Sequence, residues 1–404
     1  MNTATPPSAL PRGAIACLAT AAFGSGLSLR VNDALLPHLA REFGVSLGVA
    51  SQVISLFAIA YGLAQLVFGP VGDRYGKYRV VGWAASACSL AALGCAAAPG
   101  LDALRGARLL AGATAAAIIP LSMAWIGDVV PYERRQPVLA RFLIGQIAGL
   151  STGVWLGGFA ADLGSWRAPY AVIAVLFAAT SFALLRLQPR LPEHARAVRP
   201  ATGDAIRHTV TEFAAVLSRP WARAVLALVF LEGMCLYGPF AFVATHVHQV
   251  FGLSLSAAGA IVMLFGLGGF AFALLSGMFV ARLGEVGLAA WGGAGMVLAL
   301  LTIAFAPAWG WAVGGCLLLG LGFYMMHNTL QVHATQMAPE RRGAAVSAFA
   351  ACFFLGQSTG VSLAGIAVGR YGTSPLLAAG ATGLIGVAAT FSMLLQRRHR
   401  ARHG

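Results

Sequence analysis

The chain has 404 residues, 58% of them apolar and only 10% charged, with a mean hydropathy of +0.78. Soluble domains carry about a quarter of their residues as charges, so this composition excludes a soluble globular protein and defines an integral membrane one. The net charge of +14 does not indicate nucleic acid as a partner, because the basic residues track the two sides of a membrane.

Met1 to Pro11 is a short polar tail. The apolar run from Gly13 to Pro37 is too long for a cleaved signal peptide and counts as span 1. A crossing helix needs about 20 apolar residues, and the rest of the chain has room for eleven more. Span 2 covers Gly48 to Phe68, span 3 Val80 to Ala98, span 4 Leu104 to Val129, span 5 Pro137 to Ala161 and span 6 Ala168 to Leu187. Gln188 to Arg219 is the longest hydrophilic stretch. Within it Ile206, Val210, Phe213 and Leu217 recur at helical spacing beside Arg207, Glu212 and Arg219. This reads as an amphipathic helix on the inner membrane surface, with a disordered basic linker as the alternative. Spans 7 and 8 follow at Ala222 to Thr245 and Ala257 to Val280. Spans 9 to 12 lie at Val286 to Ala306, Trp309 to Thr335, Ala344 to Val368 and Ser374 to Leu395. The expected architecture is all-α: a six-helix bundle (1–187), a linker (188–221), and a second six-helix bundle with a basic tail (222–404).

Arg74, Lys77, Arg79, Arg134, Arg135, Arg141, Arg186, Arg190, Arg219, Arg282, Arg341, Arg342 and the tail from Arg397 fall on one side of these spans. Arg41, Arg105, Arg167 and Arg370 fall on the other. The positive-inside rule then puts both termini in the cytoplasm, with the plasma (inner) membrane crossed an even number of times. The six cysteines sit in apolar runs without ligand spacing and read as core residues. The His246/His248 pair alone is too little for a metal site, so neither metal nor cofactor is expected.

An internal repeat appears when the second half is slid back by 207 or 208 positions. Phe43-Gly44-Val45-Ser46-Leu47 meets Phe251-Gly252-Leu253-Ser254-Leu255, and Glu133-Arg134-Arg135 meets Glu340-Arg341-Arg342. Gly149-Leu150-Ser151-Thr152-Gly153 meets Gly356-Gln357-Ser358-Thr359-Gly360, and Arg74-Tyr75-Gly76 meets Arg282-Leu283-Gly284, where Ala281 replaces Asp73. Four landmarks in one order indicate duplicated six-helix halves.

The turn from Gly69 to Arg79 is too polar for lipid, and its glycines let two helices fold back tightly. It resembles the loop between helices 2 and 3 of the major facilitator superfamily, roughly G-x-L-a-D-r-x-G-r-k. Gly69, Asp73, Arg74, Gly76 and Lys77 stand on its main positions, while Val71 replaces the usual Leu and Tyr78 a basic residue. Leu104, Arg108 and Gly112 resemble that family's span 4 motif. Gly149, Gly153, Gly157 and Gly158 resemble its span 5 antiporter motif, with Val154 in place of the motif's Pro. Small residues four apart also let helices approach closely, here expected between spans 5 and 8. The resemblance implies a twelve-helix fold working by alternating access, with spans 1, 4, 7 and 10 around a central cavity. It also implies a cytoplasmic latch in which Asp73 caps span 11 near Gly343 to Ala345 and Asp128 pairs with Arg74, Lys77 or Arg79.

Function is argued from ionisable groups within the spans, each costing about 2.5 to 3.5 kcal/mol at mid-helix. Arg30 and Asp33 share a face near the outer end of span 1, and Arg108 enters span 4 from that side. Asp33 is therefore expected between two guanidinium groups; in the alternative Arg30 snorkels to the headgroups and Arg108 neutralises Asp33 structurally. Glu232 in span 7 and His327-Asn328 in span 10 lie at similar depths from the inner end. A carboxylate among Leu231, Met234 and Leu236 has little water around it, a setting for proton exchange near neutral pH with His327 as relay. A plain hydrogen bond between helices is the alternative. Their counterparts in the first half are Gly24 and Pro120, so the pair is not part of the duplicated scaffold.

These residues point to a monomeric, proton-coupled secondary transporter in the lipid bilayer that exports small amphipathic or drug-like compounds. Proton-driven import of an organic anion, suited to Arg30 and Arg108, is one alternative. A non-transporting sensor or lipid flippase is another. No nucleotide-binding loop is present, and no enzyme activity is expected.

Overall fold

A computed structural model describes residue 11 and residues 13–196 and 205–403, which are largely helical and contain no strand. Most of the polar tail, and Arg199 of the linker, lie outside the described residues, as do the side chains of Ile206 and Arg207. Among the described residues, ten helices are long and apolar enough to cross a membrane. One of these, Leu255–Ala304, is interrupted by non-helical Gly284 and supplies spans 8 and 9. A shorter apolar helix, Ala14–Arg30, leads into Leu36–Glu42 to form span 1. The chain thus makes twelve passes.

The other spans are Gln52–Tyr75, Lys77–Ala96, Leu101–Ala115 with Ile118–Val129, Tyr132–Asp162, Ala168–Leu187, Pro220–Phe240 with Val243–Phe251, Trp309–Gln336, Arg342–Tyr371 and Thr373–His403. Spans 1, 4 and 7 are each broken, so span 1 does not run unbroken to Pro37. Pro37, Pro120 and Pro239 sit at the breaks. Pro37 and Pro120, just past their breaks, each lack an N–H and crowd the carbonyl four residues back, which opens the backbone of spans 1 and 4, whereas Pro239 lies within its helix just before the break in span 7.

Packing follows the sequence repeat. Gly76 (φ +89°) and Gly284 (φ +60°), one repeat apart, turn the chain after spans 2 and 8 in backbone conformations that only glycine adopts freely. A Cβ at Gly112 would run into the Phe57 carbonyl, and one at Gly320 into the Phe265 carbonyl. Gly149 and Gly153 ride on Phe23 and Leu27 just as Gly356 and Gly360 ride on Phe230 and Met234. One apolar core is drawn mainly from residues 14–195 and a second mainly from residues 216–395.

These contacts correct the expected partner of the span 5 glycines. Gly149, Gly153 and Gly157 pack on the backbone of span 1, at Phe23, Leu27 and Val31, and only Gly158 meets span 8, at Leu255. A four-residue spacing defines a helix face but not the helix it meets, and Gly158 lies about 100° around from Gly157.

The linker helix Ala205–Leu217 is present. Val216 is fully buried against the second half and Phe213 is half-buried, while Val210 and Leu217 are exposed. Glu212 pairs with Arg341, and Arg219 with Glu340. The helix is therefore pinned to the second bundle as well as presenting an apolar edge outward.

Candidate functional site

The bundle has a basic end, carrying Asp73, Lys77 and Arg341, and a far end, carrying Glu42, Asp102 and Asp162. At the far end the two halves touch. Cβ atoms at Gly48 and Gly158 would strike Gly365 and Leu255 respectively, and Ser358 Oγ donates to the Ser55 carbonyl at 2.9 Å. Asp162 accepts from the N–H groups of Leu255 and Ser256 at 3.0 and 2.8 Å. Towards the basic end, Gly69, Gly277 and Gly343 on spans 2, 8 and 11 have no atom within 4 Å of where a Cβ would lie. The halves are held together at the far end, and at the basic end these three exposed positions are open.

Two buried ionisable pairs stand out, one inside the second half and one where the halves meet. Glu232 Oε2 is 2.7 Å from His327 Nδ1; Glu232 is fully buried and His327 15% exposed. The two residues that sequence depth put at one level are thus in contact. His327 lies in an aromatic cluster, with Phe323, Phe353 and Phe349 rings at 4.7, 4.8 and 5.4 Å. Asn328, next along the helix, is half-buried.

The second pair is Arg30 Nη1 and Asp33 Oδ2, 3.1 Å apart and almost fully buried. Arg30 does not snorkel. Its guanidinium lies 4.7 Å from the Tyr237 ring and 4.5 Å from the Phe240 ring, both on span 7, contacts that gain strength when desolvated. Tyr237 and Phe240 are the repeat counterparts of Arg30 and Asp33, offset by 207. A contact between equivalent positions places Arg30 at the pseudo-twofold axis relating the halves.

Arg108 lies within electrostatic reach of Asp33, as its depth suggested, but forms no ion pair with it. Its Nη1 donates to the Ser28 carbonyl at 2.9 Å, its Nε to the Val53 carbonyl at 3.1 Å, and its guanidinium lies 4.2 Å from the Phe57 ring. The Asn32 amide, oriented so that both ends are satisfied, accepts from Arg108 and donates to the Tyr170 hydroxyl at 2.5 Å. The break in span 1 frees carbonyls that an unbroken helix would use, and Arg108 takes one of them. It pins spans 1, 2 and 4 together.

At the basic end Lys77 bridges Asp73 at 3.3 Å and Asp128 at 2.5 Å. The Arg74 guanidinium lies 5.3 Å from the Tyr75 ring. Asp73 is thus engaged by Lys77 rather than capping span 11 in this state, and the position at Gly343 is open. Trp125 Nε1 donates to the Ala195 carbonyl at 2.9 Å, docking the start of the linker on the first half. His246 is occupied by Thr373 and the Ile303 carbonyl, and His248 by the Leu253 carbonyl. No group of three or more metal-ligating side chains occurs among the described residues.

Sequence reasoning did not identify the aromatic surround. Phe323 precedes His327 by four residues, so helical spacing was the available signal there, whereas Tyr237, five residues after Glu232, lies on another face of span 7. Tyr237 packs edge-on to Phe265, Phe323 and Phe353 at 5.3 to 6.2 Å.

A duplicated bundle of broken helices, held together at one end and burying ionisable pairs in its interior, defines a membrane transport protein rather than an enzyme. The family model described as Major Facilitator Superfamily matches residues 18–361, and the chain belongs to that family. It is similar to the uncharacterized MFS-type transporter YceJ of Bacillus subtilis (strain 168), 26% identical over 82% of this chain and 83% of that protein. It is 26% identical to the gallate transporter of Pseudomonas putida over 86% of this chain and 80% of that one. It is 29% identical to the probable multidrug resistance protein EmrY of Escherichia coli (strain K12), over 41% of this chain and 33% of that one. Among solved structures, the nucleoside transporter NupG superposes with a TM-score of 0.75 at 16% identity, covering 95% of this chain and 98% of that one. That likeness shows the fold.

Proposed function

We propose that the chain is a proton-coupled transporter that moves small amphipathic or drug-like compounds outward across the plasma membrane. Its termini and basic end face the cytoplasm, and its two six-helix halves rock about the central site. The observation that carries this reading is the Glu232–His327 contact: a carboxylate with no exposed surface, bonded to an imidazole that solvent still reaches. Intramembrane groups of this kind are costly to keep and typically serve a moving proton or substrate.

With the basic end parted, a substrate enters beside His327 and lays its apolar part among Phe323, Phe353 and Tyr237. Rocking then brings Asp73 to the start of span 11 and separates Asp162 from span 8. A proton taken up on Glu232 from the far side weakens substrate binding, and His327 passes that proton to the cytoplasmic side once the bundle returns. Arg30 and Asp33 move with the far-end closure, because Arg30 touches span 7 only while that end is shut. The multidrug name of EmrY supports the outward direction.

One observation favours a second reading, import of an organic anion with a proton. Neither terminal nitrogen of Arg30 has a hydrogen-bond partner of good geometry. If Asp33 takes a proton, the guanidinium is free to hold a carboxylate. The gallate transporter, which matches most of the chain, supports an aromatic carboxylate as cargo.

Overexpression in a sensitised host tests direction. Increased resistance to lipophilic cations and dyes is expected for export; growth on an aromatic carboxylate as sole carbon source, without increased resistance, overturns export in favour of import. A sensor moves no solute in proteoliposomes under either gradient.

A further inference from the structure

Gln357 of span 11 has no exposed surface, and neither the nitrogen nor the oxygen of its amide has a hydrogen-bond partner. Buried amides are nearly always paired, because an unpaired one is a standing cost to the fold. The scaffold does not require the amide: the repeat counterpart of Gln357 is Leu150, flanked by the same glycines. Gln357 shares this property with Glu232 and His327, whose counterparts are also non-ionisable.

Its position links it to those two residues. A Cβ at Gly233, next to Glu232, would lie 3.1 Å from the Gln357 backbone nitrogen. Glu232 Oε1 is likewise buried without a partner. One helical turn before Gln357, Phe353 is half-buried, its ring 4.8 Å from His327 and 5.3 Å from Tyr237. Unpartnered polar groups thus flank a largely buried cluster of rings, of which Phe353 is half-buried and His327 keeps 15% of its surface exposed.

We propose that Gln357 is a ligand-contacting residue whose amide pairs with the donor–acceptor edge of a flat aromatic substrate, such as a ring carboxamide, a lactam or an amino group beside a ring nitrogen. A carboxamide presents one acceptor and two donors in a plane, so it matches an edge carrying both. The rings of Phe353, Tyr237 and Phe323 hold the flat body by offset and edge-on contacts. Ligands lacking that edge leave the amide unpaired and bind less tightly. The inference rests on the transport reading of this site and adds its substrate class.

The test uses the full-length protein in lipid nanodiscs, with 2-naphthamide and 2-methylnaphthalene as matched probes and calorimetric titration as the readout. The wild type is expected to bind the amide about tenfold more tightly than the hydrocarbon, one good hydrogen-bonded pair. Gln357→Leu is expected to abolish that preference, keep the hydrocarbon affinity and leave Tm unchanged or higher. Gln357→Met, closer in shape, is expected to do the same. Absence of preference in the wild type, no binding of either probe, preference kept in both variants, or a lowered Tm in both would each overturn the assignment. Failure of the broader reading looks different: substrate-driven proton movement would be missing while the amide preference and its dependence on Gln357 persisted.

Discussion

Removing the Asp162 carboxylate perturbs the far-end closure without touching the central pairs. Asp162, at the end of span 5, accepts from the N–H groups of Leu255 and Ser256 in the opposite half. First-turn N–H groups have no partner within their own helix, and the positive end of the helix dipole favours an anion there. Ser254 already satisfies the N–H of Ala257 at 3.2 Å, so Asp162→Ala leaves two donors to water. The side chain is exposed, which puts the loss in the range of an ordinary surface cap, about 1 kcal/mol. The contact exists only when the far end is shut, so that energy converts to a roughly fivefold shift toward the far-open state. Asp162→Asn keeps one acceptor and is expected to fall between. Spin labels at Leu163 and Val250, both exposed and on opposite halves, report the gap by pulsed electron resonance. Growth of a longer-distance population in Asp162→Ala supports the reasoning; an unchanged distribution refutes it.

Other consequences follow from the same contacts. Gly149→Ala drives a methyl into the Phe23 carbonyl and is expected to destabilise by about 1–3 kcal/mol. Gly106→Ala, in a helix with nothing within 4 Å of its Cβ position, is expected to be neutral or mildly stabilising; thermal unfolding in detergent separates the two. Arg108→Lys loses the fork that reaches Ser28, Val53 and Asn32 at once, and its folded yield is expected to fall several-fold, whereas unchanged yield and Tm would remove the pinning role. Asp73→Asn is expected to abolish transport with expression and ligand binding intact, since Asp73 has only its surface pairing with Lys77 in the state described. Full transport by that variant would remove the latch.

The architecture was legible in the sequence because both of its signals are carried by many residues at once. Apolar runs count the spans, and the 207–208 offset relates Phe57 and Gly112 to Phe265 and Gly320, pairs that do pack alike. The Glu232–His327 contact was legible because equal depth on facing helices nearly fixes a meeting point. Depth brought Arg108 near Asp33 but did not give its partners, because the break over 31–35 leaves the Ser28 carbonyl free for it and periodicity does not register a local break. The span 5 glycines showed their face but not their partner. Gln357 was hidden within the matched landmark Gly356–Gly360, where the repeat drew attention to the glycines rather than to the substitution of an amide for Leu150.

If protons move through the buried carboxyl groups of Glu232 and Asp33, substituting either group stops that movement. Its most direct measurement is substrate-driven pH change inside proteoliposomes loaded with a pH-sensitive dye, for the wild type, Glu232→Gln and Asp33→Asn. The account predicts a substrate-dependent proton flux in the wild type that disappears in Glu232→Gln and is lost or severely reduced in Asp33→Asn, with substrate binding retained in at least one of them. Wild-type flux in both variants would contradict it.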